Sequence, residues 1–171
     1  MIKKIINLII YILRYYSIIN TKYKVSTQVN FGSSLSNNFF QKKLRKCKFY
    51  LEYGAGNTTL LANKINKKYI SIETDKSFFN YLKYKKKINN LKYIDIGPTK
   101  YISYPILPHF LIEKKIIFYC NFIESFFNKT KNTPDLILVD GRFRANTCLH
   151  ILSFLSKKKI KDITTIIIDD Y

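Results

Sequence analysis

The stretch from Lys48 to Asp75, KFYLEYGAGNTTLLANKINKKYISIETD, constrains this chain more than any other. It predicts a strand, a glycine turn, a helix and a second strand. Phe49 to Tyr53 is apolar and aromatic around a single acid, as expected of a strand buried on both faces of a parallel sheet. Gly54 and Gly56 carry no Cβ, so the backbone there can turn tightly and approach a ligand closely. Asn57 or Thr58 is the expected helix cap, leaving N–H groups directed at the turn. The second run, Tyr69 to Ile72, ends on Glu73, 17 residues beyond Gly56. In nucleotide-binding βαβ units an acid meets the ribose hydroxyls about 20 residues on.

Two positions narrow the ligand. A dinucleotide fingerprint has a third glycine three residues after the second, and here that position holds Thr59. Glu52 stands two residues before Gly54, where a carboxylate repels a pyrophosphate and suits a ligand bearing positive charge. S-adenosylmethionine carries a sulfonium, an ammonium and a ribose, and no phosphate. At Glu52, Gly54 and Gly56 the sequence resembles the class I S-adenosylmethionine-dependent methyltransferases, whose first motif has the form E-x-G-x-G. The resemblance extends over about residues 48–171.

The remainder of the chain continues the strand–helix alternation. Asp75 to Lys87 is predicted helical, capped by Asp75 or Ser77, with lysines at its C-terminal end that suit the helix dipole. Lys92 to Ile96 is the third strand, stopped by Gly97-Pro98. Thr99 to Pro134 is a long crossover with an aromatic, proline-punctuated start and a helix over Ile116 to Asn128. A crossover of this length is read as part of a substrate wall. Asp135 to Val139 is the fourth strand, followed at once by the DGRFR run of Asp140 to Arg144 and a helix to about Ser156. Thr164 to Ile168 is the fifth strand. Such alternation gives a doubly wound, mostly parallel α/β sheet, with ligands outside the carboxyl ends of the strands.

Ahead of this domain lie two further segments. Residues 1–26 are predicted as an apolar N-terminal helix with one narrow polar stripe (Lys3, Asn7, Arg14, Ser17 and Thr21). Its uninterrupted apolar runs are short of the about 20 residues that span a bilayer. Three placements fit it: packed on the domain, lying in a membrane interface, or binding a partner. Residues 27–47 comprise a polar loop, Thr27 to Asn38, and a lead-in helix over Phe39 to Lys46. The loop is placed either to close over a cofactor or to serve as a plain linker.

Composition bears on partners. The net charge of +19 invites a nucleic-acid reading. Yet only four of the 30 basic residues are arginines (Arg14, Arg45, Arg142, Arg144), and Lys, Ile, Asn and Tyr are abundant throughout, as AT-rich coding produces. No RNA-recognition signature accompanies the charge, so nucleic acid is not the expected partner; an anionic surface or acidic glycan stays open. Cys47, Cys120 and Cys148 are widely spaced without a C-x-x-C pair, so neither a disulfide framework nor a zinc site is expected. His109 and His150 are too few for a histidine-based metal centre. The expected compartment is the reducing cytoplasm, peripheral to a membrane if the first helix lies in the interface.

The resemblance implies a sheet order of 3-2-1-4-5 and assigns roles. Glu52, Gly54, Ala55, Gly56, Asn57 and Thr58 surround the methionine part of the cofactor, Glu73 holds its ribose, and Asp95 and Ile96 flank the adenine. Asp140 borders the transferring methyl and is the candidate catalytic base. Methyl transfer to a small-molecule or saccharide acceptor follows, with an oxygen as the expected nucleophile. Asp140, Asp169 and Asp170 also resemble the carboxylate set of cation-dependent O-methyltransferases, which implies a divalent cation such as Mg²⁺. Arg142 and Arg144 either bind an anionic substrate or brace the fourth-strand loop. The family sheet continues with another helix and two strands that this sequence does not supply. The expectation is therefore an open edge at the fifth strand, available to a second copy, and the alternative function is a non-catalytic or truncated binding module.

Overall fold

A computed structural model describes Ile5, Ile9 and residues 23–100, 103–159 and 164–169 of the 171-residue chain. The expected helix over residues 1–26 lies almost wholly outside the described residues. The first described helix, α1 (Ser34–Lys46), begins five residues earlier than the sequence suggests, because the Ser33 hydroxyl accepts the Ser36 N–H at 3.0 Å. Much of the predicted loop is therefore helix. Lys43, Arg45 and Lys46 close its last turn, where cations suit the helix dipole, and Phe40 and Leu44 are its buried face.

The sheet is built from β1 (Tyr50–Tyr53), β2 (Tyr69–Glu73), β3 (Leu91–Tyr93), β6 (Leu136–Val139) and β7 (Thr165–Ile168). All pairings are parallel, in the order β3-β2-β1-β6-β7, which agrees with the implied 3-2-1-4-5. Asp135 fixes the register of the central pair: its two carboxylate oxygens accept the Lys48 and Phe49 N–H groups, both at 2.8 Å. Alternate side chains of β1 and β6 serve opposite cores. Leu51, Tyr53, Ile137 and Val139 pack towards α4 (His109–Cys120), α5 (Phe122–Thr130) and α6 (Arg144–Lys157). Tyr50, Leu136 and Leu138 pack towards α1, α2 (Asn57–Lys64) and α3 (Lys76–Asn80), the last continuing as a π-helical turn over Tyr81–Lys85. Covering both faces is why these strands read as continuous apolar runs.

The structure corrects the crossover. The third strand is three residues long, ends at Tyr93 and is followed by a hairpin of β4 (Thr99–Lys100) and β5 (Tyr104–Pro105). The single helix expected over Ile116 to Asn128 is two helices that break at Asn121. The break lets the N–H of Ile123, an orphan donor of the first turn of α5, reach the buried Tyr53 hydroxyl at 3.1 Å. Among the described residues, β7 is an edge strand, and Ile168 is 39% exposed.

The turns after β1 and β6 meet backbone to backbone. Gly54 has φ +94°, and a Cβ placed there would lie 2.6 Å from the Gly141 nitrogen. A Cβ on Gly141 would in turn collide with the Tyr119 hydroxyl. Gly56 is different: its backbone is extended, and a Cβ there would meet nothing within 4 Å. Gly54→Ala is therefore expected to cost about 2–4 kcal/mol, from left-handed strain plus overpacking. Gly56→Ala should cost under about 1 kcal/mol. Urea unfolding of the two variants checks the contrast, and equal midpoints would refute the packing account.

Candidate active site

A cavity of about 550 Å³ opens at the carboxyl ends of β1, β2, β6 and β7. Of the residues singled out in the sequence, Gly54, Ala55, Glu73, Asp140, Arg142, Arg144 and Asp169 line it. Each ends or closely follows a strand, where an open parallel sheet leaves a crevice.

Glu73 is the most constrained acid of the wall. It is 4% exposed, and its Oε1 accepts the backbone N–H groups of Thr74 and Asp75, both at 2.7 Å, and the Ser103 hydroxyl at 3.0 Å. Among the described residues Oε2 takes no such donor. Burial pushes the Glu73 carboxyl up to about 7 against the pull of those three donors, with the neighbouring Asp75 adding to the rise. Asp75 itself caps α3, accepting the N–H groups of Ser77 and Phe78 at 2.8 and 2.9 Å.

Glu52, by contrast, does not face the cavity. It is fully buried and accepts hydroxyl hydrogens from Thr58, Thr59 and Ser71, the Thr59 contact being 2.5 Å. Thr59 also accepts the Gly56 N–H at 2.9 Å, so Gly56, rather than Asn57 or Thr58, is the helix cap. Thr58 is thereby turned inward. Asn57 faces the N-terminal segment, accepting the Ser26 N–H at 3.0 Å and donating to the Gln28 carbonyl at 2.8 Å. Gly56, Asn57 and Thr58 are thus not part of the wall.

Asp95 and Ile96 are also elsewhere. The sheet ends at Tyr93, so Asp95 turns outward to Lys115, 2.7 Å away, and Ile96 is fully buried in the core. On this side the cavity is walled by Thr74, Asp75 and Phe78. Of the expected cation triad only Asp140 and Asp169 are among the described residues. Asp140 Oδ1 lies 2.8 Å from Arg144, and among the described residues no group of three or more His, Cys, Asp or Glu is placed to hold a metal. Asp170 lies outside the described residues.

The two arginines of the DGRFR run have different surroundings. Arg144 donates to the Gly141 carbonyl at 3.1 Å, the Asp169 carbonyl at 2.5 Å, and the carbonyl and carboxylate of Asp140 at 3.2 and 2.8 Å. It braces the ends of β6 and β7. Arg142 instead lies over the Tyr104 ring, 4.3 Å from its centroid. Phe143 between them has φ +57°, a strained value for a bulky residue, and its ring packs edge-on to His109 and Tyr119.

Sequence reasoning missed Tyr23, Lys24 and Val25, whereas Ser103 and Tyr104 belong to the crossover read as a substrate wall without being singled out as site residues. The Tyr23 ring packs on Phe78 and Tyr81, at 4.9 and 5.3 Å, which carries the segment across the mouth. The segment expected either to close over a cofactor or to serve as a linker, Thr27 to Asn38, lies just downstream of the residues that line the wall. The neighbouring aromatic residues Tyr101 and Tyr104 are a signal for the hairpin, but nothing local aims it at the β2 end.

No protein-family model matches the sequence, and no curated protein matches it. Among solved structures the chain is similar to a methyltransferase-like protein from Silicibacter pomeroyi DSS-3. The TM-score is 0.57 and the identity 24%, over 72% of this chain and 67% of that one. The likeness is one of fold: this chain shares an α/β arrangement with that methyltransferase-like protein.

The Glu73 environment has a pH signature. Its folded-state value of about 7 exceeds the ordinary 4.5, so the folded protein holds a proton that the unfolded chain has lost. The associated stability is complete below about pH 4.5 and disappears as pH rises through about 7. Glu73→Gln is expected to remove this fall, read as the wild-type-minus-variant difference in unfolding free energy across that window. A difference that is flat with pH would contradict the buried, proton-holding carboxyl.

Proposed function

We propose that this chain binds S-adenosylmethionine at the β1–β2 side of the cavity and transfers its methyl group to an oxygen of a small-molecule or saccharide acceptor. The observation that carries the proposal is Glu73: a buried carboxylate at the end of β2, held through one oxygen by its own backbone, facing a cavity beside the Gly54–Ala55 turn. Its position suits a ribose diol, and a cavity of about 550 Å³ falls in the size range of small-molecule sites. The fit also rests on the charge of the wall. Glu73 and Asp75 at the β2 end and Asp140 at the β6 end suit a ligand with an ammonium and a sulfonium, while Lys24, Arg142 and Arg144 of the same wall leave room for an anionic group. Bound there, the cofactor supplies an electrophilic methyl on a cationic sulfur.

The chain's own residues supply the rest. Glu73 accepts the ribose hydroxyls. Gly54 and Ala55 present backbone to the methionine part. Phe78 and the Tyr23–Val25 segment exclude water from the mouth. Asp140, oriented by Arg144, takes the proton of the acceptor hydroxyl as it attacks in line. Holding nucleophile and methyl close and aligned contributes most of the acceleration.

Titration calorimetry with S-adenosylhomocysteine tests the reading. Glu73→Ala is expected to weaken binding by roughly 1.5–3 kcal/mol, the scale of charge-assisted hydrogen bonds. Ribose hydroxyls donate to the ionised carboxylate, so affinity should rise with pH through about 7 and level off above it, a dependence absent in Glu73→Gln. Binding of NAD in place of S-adenosylhomocysteine, or an unaffected Glu73→Ala variant, would overturn the assignment.

A further inference from the structure

We propose that Arg142 anchors a carboxylate or phosphate of the methyl acceptor, so that the acceptor is a small anionic molecule; this rests on the methyl-transfer reading above. Arg142 lines the cavity two residues after Asp140. Its guanidinium is held over the Tyr104 ring at 4.3 Å. A cation–π contact restrains the charge while leaving N–H donors for an oxyanion. Among the described residues Arg142 makes no hydrogen bond and no ion pair, although four carboxylates share the same wall.

The contrast with Arg144 makes the point. Arg144 directs its donors at three carbonyls and a carboxylate and is structural. An arginine that only held the loop would be bonded in the same way. Arg142 is instead pre-positioned, with a planar fork of donors that matches a carboxylate or phosphate. Beside the carboxylates of this wall, it is a place where an oxyanion gains rather than loses. Tyr104 reaches it from the β4–β5 hairpin, which places the aromatic and the cation on separate elements that meet at the cavity.

The test uses arginine-selective modification by phenylglyoxal, mapped by mass spectrometry, on the full chain saturated with S-adenosylhomocysteine. Inorganic phosphate or benzoate, at ionic strength held constant with chloride, is expected to protect Arg142 and leave the exposed Arg45 unprotected. Arg142→Gln should weaken anion binding about tenfold or more while leaving S-adenosylhomocysteine affinity within about twofold. Modification of Arg142 that neither anion slows would overturn the proposal. So would protection by S-adenosylhomocysteine itself with a matching loss of its affinity in Arg142→Gln, because Arg142 would then hold the cofactor's carboxylate. Anion protection in a protein that binds no S-adenosylhomocysteine would remove the acceptor assignment through failure of the methyl-transfer reading, with the anion site intact. The modification runs on wild-type protein, so the result does not depend on how the variant folds.

Discussion

A carboxylate at the centre of the sheet is the constraint from which the site's geometry follows. Glu52 is fully buried in β1, where an ion without partners would cost several kcal/mol. Hydroxyls of Thr58 and Thr59, from the first turn of α2, and of Ser71, from β2, take the place of water around it. Burial raises its pKa and these donors oppose the rise. One side chain thus ties two strands and a helix terminus together. Thr59 adds a second link, because a hydroxyl can donate to Glu52 and still accept the Gly56 N–H. That dual role gives threonine a reason to stand where a dinucleotide-binding turn has glycine.

With the β1 turn set from beneath, its upper side is shaped by the turn after β6. Gly54 and Gly141 touch through their backbones, and Tyr119 fills the space that a Gly141 side chain would need. Arg144 then joins the ends of β6 and β7 through the carbonyls of Asp140, Gly141 and Asp169. The cavity wall is therefore braced where strands end, and its separately contributed parts are the Tyr23–Val25 segment and the β4–β5 hairpin. A fixed floor with side chains brought in from loops is the usual division between scaffold and chemistry in such folds.

The five sheet strands were legible in the sequence, as was Glu73 at a strand end, because burial on both faces writes continuous apolar runs into β1, β2 and β6, while the strand order came from the family resemblance. The alternation of those runs with helical segments leaves few topologies. The role of Glu52 was not legible. Its spacing to Gly54 matches a ligand-facing acid, and only the positions of Ser71, Thr58 and Thr59 around it turn it inward. The same holds for Asp95, which faces Lys115 because the third strand stops early.

Local pattern also placed Arg142 and Arg144 side by side with no means of telling them apart. Their roles separate only when the end of β7 supplies a carbonyl to one and the hairpin supplies a ring to the other. The sequence by itself determined the alternation, the glycine turn and the placing of Glu73 and Asp140 at strand ends, since these depend on hydrophobic period and on neighbours along the chain. Tertiary structure alone decided which of those acids face the cavity and which arginine keeps its donors. Those outcomes depend on partners dozens of residues away, and no local pattern records them.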